Sequence, residues 1–98
     1  MPKRASDSPK KPYRLILALG ARRAFVETLP AAVVFAAWEL ISGPLVADPH
    51  LVGAALRAPF EGHRSARRGQ YRVRYRIDEE RHEIQILDIE NWWDLYRA

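Results

Sequence analysis

Cysteine is absent from this 98-residue chain, which excludes a disulfide framework and a thiolate-held metal alike. The same absence fits a reducing, cytoplasmic setting. No metal centre is expected from other ligands either. His50, His63 and His82 share no ligand spacing on one element, and no Asp or Glu cluster accompanies them. There is no glycine-rich phosphate loop, so no nucleotide cofactor is expected. The apolar run AAVVFAAWELI, Ala31 to Ile41, is too short for a bilayer, which needs ~20 residues. The first twelve residues, MPKRASDSPKKP, lack the apolar stretch of a secretory signal and read as a disordered basic tail. That leaves 13–98 as one domain, large enough for a real core but not for two.

Positive charge is what the chain has in excess. Sixteen Lys and Arg stand against twelve Asp and Glu, a net charge of +4 that favours polyanionic partners. The excess is concentrated. From Arg64 to Arg76, RSARRGQYRVRYR, six of thirteen residues are arginine. The second half alternates, with Tyr71, Val73, Tyr75 and Ile77 on one strand face and Arg72, Arg74 and Arg76 on the other. One face suits a core. The other presents planar guanidinium forks that match phosphate oxygens and keep their charge. The competing reading is a solvated face bridged to Asp78, Glu79, Glu80 and Glu83. Against it, Arg64, Arg67 and Arg68 precede that acidic turn and have no local acid beyond Glu61.

Around this stretch the chain reads β-α-α-β-β-β. Tyr13 to Leu19 is a short strand ended by Gly20. Ala21 to Leu29 is a short helix with Ala21, Phe25 and Leu29 in register. Thr28 is placed to cap a second helix with Pro30 in its first turn, and that helix runs to about Ser42, where Gly43 and Pro44 stop it. Val34, Trp38 and Ile41 form its expected apolar stripe. Val33, Phe35, Ala36 and Leu40 carry apolar surface round the rest, with Glu39 its only charge. A surface helix needs a polar face. In so short a chain, a protein partner covering Val33, Phe35 and Leu40 is the favoured explanation. Leu45 to Phe60 reads as a structured connector. Strands follow at His63–Ser65, Gln70–Ile77 and His82–Asp88, with turns at Gly69 and at Asp78–Arg81. Helices first and an antiparallel meander after them argue for an α+β fold, helices on one sheet face.

The ordered string DPHLVGAALRAPFEGHRSARRGQYRVRYRID, then IQILDI, then DLYR, resembles the RelE/ParE superfamily of toxins from type II toxin–antitoxin systems, the RelE branch above all. The matching residues are Pro49, His50, Gly53, Leu56, Gly62, Ser65, Arg67, Gly69, Tyr71, Arg72, Val73, Tyr75 and Ile77, then Leu95, Tyr96 and Arg97. The resemblance spans Tyr13 to Arg97, and its Gly-x-Tyr-Arg-Val-x-Tyr core is fairly specific. It implies a RelE-like, microbial-RNase-like fold of the same element order. It also implies a cytoplasmic, metal-independent endoribonuclease, an mRNA interferase that enters the ribosomal A site and inhibits translation. Cleavage would follow attack of a ribose 2′-hydroxyl on the adjacent phosphate. That reaction needs a base for the 2′ proton, an acid for the 5′-oxygen and fixed positive charge for the transition state.

Roles carry over residue by residue. Arg72 matches the family's strand arginine and would hold the scissile phosphate. Arg67 would grip a flanking phosphate, and Tyr96 would stack on or exchange protons with the substrate nucleotide. His63 lies where relatives often carry a basic residue and is a candidate acid or base. Arg64, Arg68, Arg74 and Arg97 are expected to contact RNA, with Trp92 stacking on a base or packing in a core or partner contact. Tyr71 and Tyr75 belong to the core face. Implied partners are a cognate antitoxin and the ribosome with mRNA in its A site, with a toxin–antitoxin hetero-oligomer on operator DNA as a further expectation. One departure stands out. Where many members carry His-Arg or Lys-Arg before the final tyrosine, this chain has Asn91-Trp92. That loss leaves two alternatives in play, a ParE-like gyrase poison without nuclease activity and a catalytically weakened antitoxin-binding member.

Overall fold

The alternation read between Tyr71 and Ile77 becomes the middle strand of a five-stranded sheet. The computed structural model describes residues 11–91. Its elements are β1 (Arg14–Leu17), α1 (Leu19–Arg23), α2 (Ala31–Leu40), a single-turn α3 (Pro49–Val52), β2 (Ala54–Ala55), β3 (Arg64–Arg68), β4 (Tyr71–Asp78) and β5 (Glu83–Asn91). The α+β fold expected from the sequence is what forms. Strand order is β1-β5-β4-β3-β2, with β1 parallel to β5 and every other pair antiparallel. Gly69, with φ of 56°, opens the two-residue β3–β4 turn, a conformation easy only for a residue without Cβ. Asp78 Oδ1 accepts a 3.0 Å bond from the Arg81 amide and closes the β4–β5 turn.

Several boundaries differ from the sequence reading. Thr28 does not cap α2. It ends a wider π-type turn, Ala24–Thr28, that continues α1, and Pro30 is the N-cap. Gly43 and Pro44 do not stop α2, because the helix widens into a second π-type turn over Ile41–Leu45. Proline in an α-helix lacks a donor and strikes the carbonyl four residues back. A wider turn relieves that clash, and the chain stays helical until Asp48 N–H bonds the Pro44 carbonyl at 2.9 Å. The connector also contains β2, whose two alanines carry no periodic signal and form a strand only by pairing with Arg64 and Ser65.

All three helices lie on one side of the sheet. The core joins Ala21, Ala24, Val33, Ala37, Leu40, Ile41 and Leu45 to Ala66, Tyr71, Val73, Tyr75, Ile84, Ile86 and Ile89. The expected α2 stripe through Val34 and Trp38 is therefore displaced by about one residue. The helix presents Val33, Ala37 and Leu40 to the sheet, and Trp38 stands half exposed with its ring edge-on to Phe25 at 6.1 Å. Ala37 allows a close approach that an indole would prevent, so the Tyr71 hydroxyl reaches the Ala36 carbonyl at 3.2 Å. Val33 and Leu40 are thus core residues and cannot present their side chains to a partner. Phe35, 72% exposed, can.

Gly53 fixes the approach of the α3–β2 segment to the sheet. A Cβ there would lie 2.7 Å from the Ser65 carbonyl oxygen and 2.9 Å from Tyr75 Cε1, and would strike the Tyr75 hydroxyl. A backbone oxygen inside a strand pair has little room to move. Gly53→Ala should destabilise the fold by about 1–3 kcal/mol, read as a lower urea midpoint at unchanged slope.

Candidate nucleic-acid interface

The sheet face away from the helices carries the arginines. Because Tyr71, Val73 and Tyr75 are buried against the helices, Arg72, Arg74 and Arg76 project from the other side of β4. On β3 the same alternation puts Ala66 in the core and Ser65 and Arg67 outward. Register then aligns the side chains into rows. Arg67, Arg72 and Glu90 form one row across β3, β4 and β5, and Ser65, Arg74 and Asp88 form the next. Arg72 donates to Glu90 Oε1 and Arg74 to Asp88 Oδ2. The competing reading of a salt-bridged face is therefore right in kind, but the acids are on β5 rather than in the turn. Over the whole face Arg14, Arg67, Arg72, Arg74 and Arg76 stand against Asp78, Glu83, Asp88 and Glu90, an excess of one positive charge. All four side chains of the two pairs keep roughly a third of their surface in solvent. Such pairs contribute about 0–1 kcal/mol each and yield readily to a competing anion.

A β-bulge makes this arrangement. From Asp78↔Glu83 to Tyr75↔Ile86 the hairpin pairs without interruption, and from Arg74↔Asp88 onward it is shifted by one, with Leu87 the extra residue. Unshifted pairing would set Leu87 opposite Arg74 and Ile89 opposite Arg72, and would turn Asp88 to the core. Past the end of β1 the chain lies close against this bulge, where a Cβ on Gly20 would sit 2.7 Å from the Leu87 carbonyl oxygen.

The expected site residues separate into groups. Arg67, Arg72 and Arg74 come together. His63 lies at the far end of the same face, its ring 6.2 Å from Phe60, over which the Arg74 guanidinium sits at 5.7 Å. The buried His63 Nδ1 and Arg74 Nε have no hydrogen-bond partner among the described residues. Arg64 and Arg68 do not join the row, because their even positions on β3 face the helix side. Arg64 donates to the His50 and Gly53 carbonyls at 2.9 and 2.7 Å, and Arg68 to the Val52 carbonyl at 3.3 Å. They fasten α3 and β2 to the sheet rather than extend the cationic row. Trp92, Tyr96 and Arg97 lie outside the described residues. Tyr71 and Tyr75 are core residues, as expected, and burial raises the Tyr71 pKa. The acids Glu90 and Asp88 were missed in the sequence. Their alternation in ILDIEN is a signal, but only the bulge assigns it a face.

At the opposite end of β4, His50 and Tyr13 share one carboxylate. Glu79 accepts from Tyr13 at 2.7 Å and pairs with His50 Nε2 at 2.5 Å. The His50 bond first, then Tyr13, holds Glu79 below the usual carboxylate range. Burial and the Glu79 bond push Tyr13 up to about 12. This clasp ties β1 and α3 to the β4–β5 turn, and it explains His50 structurally.

Among the described residues no helix is long and apolar enough to cross a membrane, and no group of three His, Cys, Asp or Glu is placed to hold a metal ion. No protein-family model matches the chain. Individual proteins do. It is 40% identical over 82 residues to Toxin RelE of Mycobacterium tuberculosis (strain ATCC 25618 / H37Rv), covering 84% of each chain. The chain belongs to the RelE toxin family. A second RelE-family relative, Toxin RelG of the same strain, is 40% identical over 86 residues, 88% of this chain and 98% of the relative. In three dimensions the fold is similar to the M. tuberculosis toxin–antitoxin complex RelBE2, with a TM-score of 0.78 at 38% identity over 83% of this chain and 99% of that one. The RelE-family core therefore extends over nearly all the described residues, and the arginine face is built on it.

Proposed function

We propose that this RelE-family chain is the toxin of a type II toxin–antitoxin pair and acts as a ribosome-dependent mRNA endoribonuclease. The observation that carries the reading is the pair Arg67 and Arg72, directly opposite each other on the outward face of the neighbouring strands β3 and β4. Like charges directly opposite on a sheet repel, and a bound phosphate between them converts that repulsion into attraction. Arg72 would hold the scissile phosphate, Arg67 its neighbour, and Arg74 the strand beyond, all in the cytoplasm on an A-site mRNA. His63 is a proton-transfer candidate, and Tyr96 keeps the stacking role that the family resemblance implies. The partner is a cognate antitoxin, with Phe35 and Trp38 on the outer face of α2 the apolar surface offered to it.

A second reading draws on the carboxylate pairing of Arg72 and Arg74, which lowers the charge available for RNA. In it the chain binds its antitoxin and has no nuclease chemistry. Cell-free bacterial translation followed by primer extension separates the two. The expected result is mRNA ends at fixed codon positions that appear only when ribosomes translate and vanish when antitoxin is added. Intact mRNA would reject the nuclease, and gyrase–DNA cleavage complexes trapped in the same extract would replace it with a gyrase poison.

A further inference from the structure

We propose that Glu90 is the general base of the cleavage reaction, an inference that rests on the nuclease reading above. The 2′-hydroxyl and the phosphate it attacks belong to one nucleotide unit, so a base that reaches the 2′ proton lies close to the cation that holds that phosphate. Among the described carboxylates, Glu90 alone sits in the Arg67–Arg72 row and receives an Arg72 N–H. A guanidinium has five N–H donors on two edges, so one arginine can orient a carboxylate and a phosphate together. Glu90 keeps 39% of its side chain in solvent, and β5 holds its backbone on one side of β4. The charged groups nearest it in the sheet register are Arg72 directly beside it, Arg67 beyond Arg72, and Asp88 two residues before it.

The step balances within the substrate. Glu90 takes the 2′ proton, and the 2′-oxygen forms a bond to phosphorus. The P–O5′ bond breaks, leaving a 2′,3′-cyclic phosphate, and the 5′-oxygen departs as an alcohol with a proton drawn from solvent. Charge on the five-coordinate phosphorus falls between Arg67 and Arg72. This assignment also supplies a base on β5 in the chain that carries Asn91-Trp92 where relatives carry a basic pair.

The test is single-turnover cleavage of mRNA on programmed ribosomes across a pH series, with binding measured separately on a 2′-O-methyl mRNA. Glu90→Gln should slow cleavage by about 10²–10⁴-fold. Binding should hold or tighten, because a competing negative charge is gone. The rate should also lose its fall on the acid side. Glu80→Gln, the same charge change on the exposed turn, should leave rate and binding as they were. Wild-type cleavage matched within threefold by Glu90→Gln, acid limb intact, overturns the base and leaves the nuclease standing. If Glu90→Gln loses binding and cleavage together and Glu90→Asp restores both without altering the pH profile, Glu90 only positions Arg72 and the proposal fails. No cleavage by the wild-type protein rejects the nuclease reading itself, and Glu90's role with it.

Discussion

Arg72→Ala should lower ribosome-dependent mRNA cleavage by about 10²–10³-fold, the usual effect of removing one fixed donor from a developing oxyanion. The size follows from position. Arg72 is on the middle strand of five, flanked by Arg67 on β3 and Glu90 on β5. Its loss removes the cation proposed to hold the scissile phosphate and also frees Glu90 from the Arg72 hydrogen bond. Arg72→Lys should fall between, since an ammonium keeps the charge but not the planar two-pronged grip. Stability should barely change. The Arg72–Glu90 pair is partly solvated, so breaking it costs about 0–1 kcal/mol. A melting temperature within a few degrees of wild type, beside a rate down a hundredfold, separates chemistry from folding. A variant that cuts at the wild-type rate would remove Arg72 from the mechanism.

Tyr75→Ala should be the most destabilising single change of those considered, about 3–5 kcal/mol by analogy with large aromatic truncations in cores. Tyr75 has no exposed surface, and its hydroxyl donates to the Pro49 carbonyl at 2.6 Å. It joins the sheet, the start of α3 and the Gly53 approach at one point. Truncation leaves a cavity and also an unsatisfied carbonyl. Against a total of ~5–15 kcal/mol for an ordinary domain, that removes much of the folded population. Tyr75→Phe isolates the hydrogen bond. It should cost about 1–3 kcal/mol, the penalty of stranding a buried acceptor. Urea unfolding of both variants measures the difference, and equal loss in the two would mean that packing contributes little here.

Much of the fold was legible along the chain. Strict alternation in YRVRYRI is a strand signal that tertiary context rarely overrules, and Gly69 between two such runs reads as a tight turn. The weaker readings came from segments whose pattern admits several answers. A helix apolar on all sides does not declare which side meets the sheet, so the sequence offers Val33 and Leu40 to a partner although the fold buries them in the core beside Ala37. Gly43 and Pro44 look like a stop until a wider turn accommodates the proline. Arg64 and Arg68 looked like members of the cationic row until their positions on β3 turned them to the helix side.

The amino-acid sequence by itself determined the family, the order of the main elements apart from α3 and β2, and the outward row of Arg72, Arg74 and Arg76, because period-two alternation of tyrosine or valine with arginine leaves a half-buried strand one choice of face. Tertiary structure alone decided what those arginines meet. One extra residue at Leu87 shifts β5 by a single position, brings Asp88 and Glu90 out of hydrophobic register, and sets them against Arg74 and Arg72. In a sheet a one-residue slip exchanges the faces of every side chain beyond it. No count along the chain locates that slip, because it depends on the pairing of β5 with β4 and the close packing of Gly20 behind it.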